Sequence, residues 1–534
     1  MKNRNKLLAL LLVIALCMGA APALAGGVLN VQFDVEIASM DPQIATDGTS
    51  FEAQSAVIEG LYILDAAGSP IPAIAESTSV SEDGLTYTFT LRDTVWSNGA
   101  PVTANDFVFA WRRLVDPAVA SEYSFIAGIA GIHNADKIAA GEEPLEALGA
   151  VAIDDHTLEV VLDIPVPYFI NLLTFPSFLP LSEEFYLSCG DRFATSPETI
   201  NCNGAFIVTE YEPAANTIVL AKNPDYYDAE KVALDGIRYQ VIKDSQQAML
   251  SYQAGDLDVV TLAGEQVDLF KDDPEFQNIM AGYLWYVSAN EQTAGLENAN
   301  IRNAMARAFD KQAVADNILK DGSIPADFAV PKLLATGPDG LDYRATAATY
   351  LATDKELALE YWNTGLAELG VSSLSYSLVV EDTESAINVA QFLKAQWEDT
   401  LPGLTITIEQ MPKKNRLDVM REGEFELGLT RWGPDYADPT TYLENWTTGH
   451  TNNTMRWSNL EYDEIIASAT KGELTLDPVA RWEALKAAEA MVMADAAIYP
   501  VYQKGDAVMI KSNVSGIEFH SVGTNRVYKN AVKE

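Results

Sequence analysis

The clearest pattern in the first third of the chain is a strand followed by a capped helix. Residues 85–91 alternate large apolar side chains with threonines, and this alternation predicts a half-buried strand. Thr103 and Asp106 then have the spacing of a capping box ahead of an apolar stripe at helical spacing, which predicts a helix. Asp116-Pro117 ends it, because the residue before a proline is disfavoured in helical conformation.

Further along the chain, strands and helices are predicted to alternate. Residues 157–162, 217–221 and 237–242 have the composition of short strands. Residues 301–309 carry an apolar helical stripe, and Asp477-Pro478 has the N-cap and first-turn pattern of a late helix. A chain of 534 residues is long enough for two to four domains, so the mixture favours an α/β or α+β architecture with more than one lobe.

The N-terminal residues 1–25 have the pattern of a secretory signal peptide. A basic start is followed by an apolar run over residues 7–16, which is too short to span a bilayer, and by Ala23-Leu24-Ala25 as a cleavage site. The mature chain is therefore expected outside the cytoplasmic membrane, in a periplasm or on the outer face of the membrane. Cys17 offers lipid attachment as an alternative, although Leu16 is larger than the residue that usually precedes a lipid-attachment cysteine.

Composition narrows the range of functions. The net charge is −41, which makes nucleic acid an implausible partner. The common motifs of metalloproteases, serine hydrolases and nucleotide-binding proteins are absent, and four well-separated histidines do not suggest a metal site. We therefore expect no cofactor, no metal and no enzymatic activity.

Two cysteines remain after removal of the signal peptide. Cys189 and Cys202 are separated by 12 residues in a chain predicted to be exported, so a structural disulfide is expected. A loop of this size would stabilise the fold by roughly 3 kcal/mol.

Residues 75–117 closely resemble the signature of the family 5 solute-binding proteins of ABC importers. The stretch contains the alternating strand, a Trp-Ser-Asn-Gly turn at 96–99 and the capped helix in that order. Shorter segments resemble the same family in the same order, among them 165–169, 222–227 and 253–258. The resemblance covers nearly the whole mature chain.

The family fold is α/β and bilobal, of the periplasmic-binding-protein type, with an extra domain in the first lobe and a hinge between the lobes. By this resemblance, lobe I takes residues 26–65, 185–284 and 500–534, the extra domain takes residues 66–184, and lobe II takes residues 285–499. The hinge crossings are expected near residues 283–290 and 498–502.

The strongest candidate for a ligand contact is Asp435. The segment from Arg431 through Trp432, Asp435 and Tyr436 resembles the family's W-x-x-D-Y motif, in which the aspartate receives the α-ammonium of a peptide. A desolvated ammonium must be paired, and a fixed carboxylate does this for any side chain. As an alternative, Asp435 caps a turn before Asp438-Pro439, and Trp432 and Tyr436 are core aromatics.

Two other segments resemble parts of the family that line the cleft. They add Tyr123, Thr49 and Ser50 as ligand contacts, although loop residues of these types also pack internally. An arginine that oligopeptide binders often carry just before the W-x-x-D-Y motif is missing here, and Arg421 and Arg431 are candidates to replace it.

The resemblance implies a monomeric subunit that captures short peptides and delivers them to an ABC permease and its ATPase. Within the same fold, a metal chelate or a sugar oligomer remains an alternative ligand. A secreted hydrolase is the alternative from another class, and a peptide-sensing receptor is a third possibility.

Overall fold

The structure is a computed structural model that describes residues 26–34, 36–213, 216–262 and 264–534. The predicted signal peptide, residues 1–25, and the alternative lipid site Cys17 lie outside the described residues. In the part of the chain that is described, no helix is both long enough and apolar enough to cross a membrane.

The strands, in chain order, are β1 (Val28–Phe33), β2 (Tyr62–Leu64), β3 (Pro70–Pro72), β4 (Ala75–Val80), β5 (Thr86–Leu91), β6 (Ala150–Asp154), β7 (Thr157–Val161), β8 (Phe206–Glu210), β9 (Thr217–Lys222), β10 (Gly236–Val241), β11 (Val259–Thr261), β12 (Phe276–Ala289), β13 (Ile324–Pro325), β14 (Leu374–Glu381), β15 (Leu404–Met411), β16 (Leu427–Trp432), β17 (Ile498–Ile510), β18 (Val514–Ser515), β19 (Glu518–Phe519), β20 (Arg526–Val527) and β21 (Val532–Lys533).

The α-helices are α1 (Gly48–Val57), α2 (Ala104–Val115), α3 (Phe125–Ile129), α4 (Ala135–Ala139), α5 (Phe169–Leu172), α6 (Glu183–Cys189), α7 (Ser245–Ala254), α8 (Glu265–Phe270), α9 (Ala299–Arg307), α10 (Lys311–Ala313), α11 (Tyr343–Thr346), α12 (Lys355–Leu369), α13 (Glu384–Thr400), α14 (Lys413–Glu422), α15 (Thr440–Leu443), α16 (Leu460–Lys471) and α17 (Pro478–Ala494).

Within the described ranges, eleven strands form one continuous sheet. Its order is β15-β14-β16-β12-β17-β11-β1-β10-β9-β8, with β13 paired to β17 off this path. The long strands β12 and β17 run antiparallel at its centre, and their register shifts between Met280 and Leu284. The irregularity lies beside the stretch predicted as the first hinge crossing.

A separate four-stranded sheet, β4-β5-β7-β6, is built from residues 75–161. Helix α2 packs on it and begins with the predicted capping box of Thr103 and Asp106. The indole of Trp111 on this helix is fully buried and donates to the carbonyl of Phe178 at 2.9 Å. The strand and helix predicted from this part of the sequence are confirmed, with strand β5 beginning at Thr86.

Buried apolar side chains form two main cores that share the central strands. We call them the first core, from residues 29–259 with 436 and 508–531, and the second core, from residues 284–522. Strand β17 contributes Ile498 to the second core and Ile510 to the first. The two cores thus pack against opposite ends of β17. The predicted lobe boundaries stay a prediction.

Two predicted helices of the second half are confirmed. Helix α9 buries the predicted stripe at Ile301, Ala304 and Met305 completely. Helix α17 begins as predicted, with the Asp477 side chain accepting a hydrogen bond from the backbone N–H of Ala480 and with proline in its first turn.

The expected disulfide is wrong, because Cys189 and Cys202 are both free thiols. Cys189 ends the surface helix α6, and its sulfur lies 4.0 Å from the hydroxyl of Ser188. Cys202 is 1% exposed within the first core, where its backbone exchanges hydrogen bonds with Ser97. Burial raises the pKa of the Cys202 thiol to about 11. Proximity in sequence therefore does not place the two thiols in one environment.

Candidate ligand-binding site

A cavity of about 570 Å³ lies where residues of the first and second cores face each other. Its size falls within the range of small-ligand sites, roughly 300–1,000 Å³. One wall comes from residues around α1 and α3, and the other comes from α14, β16 and the loop after β16. The residues that line it are Thr46, Gly48, Phe51, Glu122, Tyr123, Phe125, Phe175, Tyr283, Tyr286, Arg416, Leu417, Met420, Arg421, Thr430, Arg431, Trp432, Gly433, Pro434, Asp435, Asn452, Thr454, Ser521, Gly523 and Asn525.

The loop after β16 is tightly packed against the central strands. A Cβ atom at Gly433 would lie 2.3 Å from the ring of Tyr283, so only glycine allows this approach. The backbone N–H of Asp435 donates to the hydroxyl of Thr441 at 3.0 Å. These contacts hold the backbone of Asp435 at the wall of the cavity.

The carboxylate of Asp435 is half-buried and faces the cavity without a protein partner. Among the described residues, it makes no hydrogen bond and no ion pair. Burial without compensation disfavours the ionised form, and it raises the pKa of Asp435 from 3.8 to about 6. The charge is therefore still present at neutral pH, and its desolvation is not offset by the protein.

A cluster of two arginines and one glutamate beside the cavity carries a net positive charge, opposite in sign to Asp435. Glu381 at the end of β14 receives a hydrogen bond from Arg431 at 2.7 Å and lies 3.6 Å from Arg416. We call these three residues the Glu381 cluster. Arg416 is 1% exposed and Glu381 is 4% exposed. Two guanidinium groups thus share one carboxylate, which leaves an excess of one positive charge at this wall.

The Glu381 cluster still has capacity for a ligand. Arg431 keeps a quarter of its side chain exposed, and its guanidinium lies 4.6 Å from the ring centre of Trp285. Burial lowers the pKa of Arg416, against the attraction of Glu381. The Nε atom of Arg416 is buried, with no hydrogen-bond partner in the described part of the chain. The capacity for a ligand therefore lies with the exposed part of Arg431.

Aromatic side chains form much of the remaining wall. The Tyr123 ring packs against Phe51, Phe125 and Phe175, with ring centres 5.0–5.8 Å apart. Its burial near Asp435 raises the pKa of the Tyr123 phenol well above its usual range. The buried indole N–H of Trp432 has no hydrogen-bond partner among the described residues. The site therefore presents apolar surface with a few unused polar groups, as small-molecule sites do.

Of the predicted site residues, the cavity brings together Asp435, Trp432, Arg431 and Tyr123. Arg421, suggested as a replacement for the missing family arginine, also lines it. Residues predicted from two separate segments of the sequence, 431–435 and Tyr123, therefore line one cavity.

The other three predicted contacts lie outside the cavity lining. Ser50 is fully buried: its hydroxyl donates to Asp47 at 2.6 Å and accepts from the N–H groups of Ala38 and Ser39. Thr49 is half-buried in the first turn of α1 and stays a prediction.

Tyr436 is 3% exposed and stacks on Tyr168 with ring centres 4.4 Å apart. The hydroxyl groups of Tyr436 and Ser50 both form hydrogen bonds within the protein, so both residues have structural roles here.

Sequence reasoning missed Glu381, Arg416 and the aromatic residues Phe51, Tyr283 and Tyr286. Glu381 had a usable signal in the sequence, because it directly follows the apolar run Leu378-Val379-Val380, and the structure buries all four residues at the end of β14. A charged residue in that position requires a partner. The aromatic residues carry no comparable signal, since large apolar residues are expected in any core.

Residues 69–454 match the model of the bacterial extracellular solute-binding proteins, family 5. The chain belongs to that family. It is a family of binding proteins, so the expected absence of enzymatic activity is supported by the assignment and the hydrolase alternative is excluded.

Similar proteins cover nearly the whole chain. A dipeptide-binding protein of Lactococcus lactis is 34% identical over 513 residues, which is 92% of each chain. Listeria monocytogenes OppA bound to peptide has a TM-score of 0.75 at 34% identity and covers 95% of this chain and 99% of its own. The murein tripeptide-binding protein MppA in its unliganded open form has a TM-score of 0.80 at 27% identity, covering 96% and 99%. The predicted α/β fold of the periplasmic-binding-protein type is confirmed.

Proposed function

We propose that this family 5 protein captures short peptides in the cavity at Asp435 and delivers them to an ABC permease and its ATPase. The observation that carries the proposal is the carboxylate of Asp435, which is half-buried, charged at neutral pH and unpaired among the described residues. The relatives whose names specify dipeptides or a bound peptide support the same ligand class.

The ammonium group of a peptide supplies what Asp435 lacks. A carboxylate that has already lost part of its hydration gains more from a charged partner than an exposed carboxylate does. The resulting charge-assisted hydrogen bond is about twice as strong as a neutral one. A sugar hydroxyl offers no positive charge, so Asp435 favours a peptide over a sugar oligomer.

The Glu381 cluster provides the complementary charge for the rest of the ligand. Its excess positive charge, together with Arg421, suits the terminal carboxylate or the backbone carbonyl groups of a peptide. A cavity with an unpaired anion and an excess cation on its walls favours zwitterionic ligands. The aromatic walls around Tyr123 accept side chains without specifying them.

The lobes have the predicted boundaries and close on the ligand about β12 and β17, as a rigid-body hinge motion; a relative described in an unliganded open form is consistent with this motion. The protein acts as a monomer on the outer side of the cytoplasmic membrane, after removal of residues 1–25.

Calorimetric titration with tri-alanine and with N-acetyl-tri-alanine tests the proposal. The two peptides differ in the ammonium that Asp435 is proposed to bind, so we expect the acetylated peptide to bind about 100-fold more weakly. Native mass spectrometry of protein purified from a secreting host should in addition show copurified peptides. Equal binding of the two peptides, or no binding of either together with no copurified peptide, would contradict the proposal.

A further inference from the structure

The segment that carries Asp435 is fastened to both cores. Tyr436 belongs to the first core, whereas its neighbour Ala437 packs against the second. Within three residues, therefore, the chain presents a carboxylate to the cavity, a ring to one core and a methyl group to the other. The position of Asp435 consequently depends on contacts that do not line the cavity.

Tyr168, the N-cap of α5, and Asn171 within α5 reach this segment from the side of the first core. The rings of Tyr168 and Tyr436 stack at 4.4 Å with an angle of 15° between their planes. The amide of Asn171 donates to the carbonyl of Ala437 at 3.2 Å. Both contacts join residues more than 260 positions apart, and they hold the two residues directly after Asp435.

The same rings are supported from the second core. The guanidinium carbon of Arg481 lies 5.7 Å from the ring centre of Tyr168, and Arg481 forms a buried ion pair with Asp438. The hydroxyl of Tyr436 lies 3.2 Å from Thr440 and donates to Glu444 at the same distance. The stacked pair is thus enclosed, and a change in Tyr168 is transmitted to the loop rather than absorbed by solvent.

We propose that Tyr168 and Asn171 are positioning residues for Asp435, and that they set its alignment with the ammonium group of the ligand without touching the ligand. Neither residue lines the cavity. The inference rests on the proposed function, since it assigns these residues a role in the ammonium contact. Binding sites need their contact groups held within a fraction of an ångström by surrounding residues.

The test compares Tyr168→Ala, Tyr168→Phe and Asn171→Ala with the wild type, using the affinities for tri-alanine and N-acetyl-tri-alanine. Tyr168→Ala should weaken tri-alanine binding about tenfold, or about 1.4 kcal/mol, and leave the acetylated peptide within about twofold. Tyr168→Phe keeps the stacked ring and should remain near the wild type. Asn171→Ala should also weaken tri-alanine binding selectively, but by less than Tyr168→Ala. If Tyr168→Ala does not fold, the result for Asn171→Ala tests the positioning role.

The pH dependence of tri-alanine binding supplies a readout that a purely structural role would not move. The pKa of Asp435 is about 6 because its carboxylate is desolvated. A loosened segment admits water, so the midpoint in Tyr168→Ala should move downward toward 3.8.

Equal loss of both peptides in Tyr168→Ala, or no loss of either, would overturn the positioning role. A wild-type protein that binds both peptides equally would instead overturn the proposed function, and this inference with it.

Discussion

Two carboxylates three residues apart in the same loop have opposite surroundings. Asp438 is 5% exposed and accepts two hydrogen bonds from Arg481 at 2.7 and 2.8 Å, with two more from the N–H and hydroxyl of Thr440. Asp435 has none among the described residues and faces the cavity. Both lose hydration, but only Asp438 is compensated by the protein. The comparison separates a carboxylate that stabilises the fold from one that is available to a ligand.

The largest effect is expected from Asp438→Ala. This change leaves Arg481 buried without its partner, and breaking a buried pair in this way costs about 3–5 kcal/mol. We expect the free energy of unfolding to fall by that amount in urea denaturation followed by tryptophan fluorescence. If the free energy of unfolding were unchanged, Asp438 would not have the structural role that distinguishes it from Asp435.

In contrast to Asp438→Ala, Asp435→Asn should lower the affinity for tri-alanine without lowering the stability of the fold. Tri-alanine binding should weaken about 100-fold, because the ammonium loses its charged partner on desolvation. The ligand-free variant should be more stable at neutral pH by at most about 3 kcal/mol, which is the cost implied by a pKa raised from 3.8 to about 6.

Acetylated tri-alanine is the control for this variant, since its affinity should hardly change. An equal loss for both peptides would assign Asp435 a structural role instead.

The pH dependence sharpens the comparison further. The ionised form of Asp435 binds the ammonium, so tri-alanine affinity should fall about tenfold from about pH 7 to about pH 5, as a group with a pKa near 6 is protonated. Among the described residues, Tyr123, Tyr283 and Tyr442 are titratable groups that interact with Asp435. Burial raises their pKa values, so they stay neutral in this range. The peptide ammonium stays protonated there.

Calorimetry across this range checks the prediction, with Asp435→Asn as a control that should be nearly independent of pH. The stability of the ligand-free protein should change in the opposite direction. Because the folded-state pKa of Asp435 is raised, its contribution to the free energy of unfolding decreases as pH rises from about 4 through about 6. A rise in affinity at low pH would contradict the assignment.

The smallest effect on stability is expected from changes at Cys189 and Cys202, because these cysteines do not form a disulfide. Cys189→Ser should change the free energy of unfolding by less than about 0.5 kcal/mol, as surface changes usually do. In the native wild type, a thiol reagent should modify Cys189 readily and Cys202 slowly, because Cys202 is buried with a raised pKa. A loss of stability on adding a reductant would show a disulfide instead.

Local sequence signals predicted local structure well. The capping box at Thr103, the strand ending at Leu91 and the proline-started helix at Asp477 each depend on residues within a few positions of one another. Ser50 also had a local signal, since it lies three residues after the N-cap Asp47, and its role as a cap partner follows from that spacing.

The candidate site was predictable only where a segment of the sequence resembles the family. Asp435 and its neighbours are contiguous in the W-x-x-D-Y segment, so one resemblance located them together. Glu381 and Arg431 are 50 residues apart, and Tyr168 and Tyr436 are 268 apart. Such pairs depend on how the strands assemble, and periodicity within one segment contains no information about them.

The position of β17 has a consequence for how the protein is made. This strand is near the end of the chain, yet it lies between β12 and β11 at the middle of the sheet. Until residues 498–510 are available, the sheet exists at most as two separate groups of strands with open edges. A polypeptide emerging from a membrane therefore reaches its native sheet only after residue 510 has emerged, and a chain truncated before Ile498 exposes two strand edges to aggregation and proteolysis.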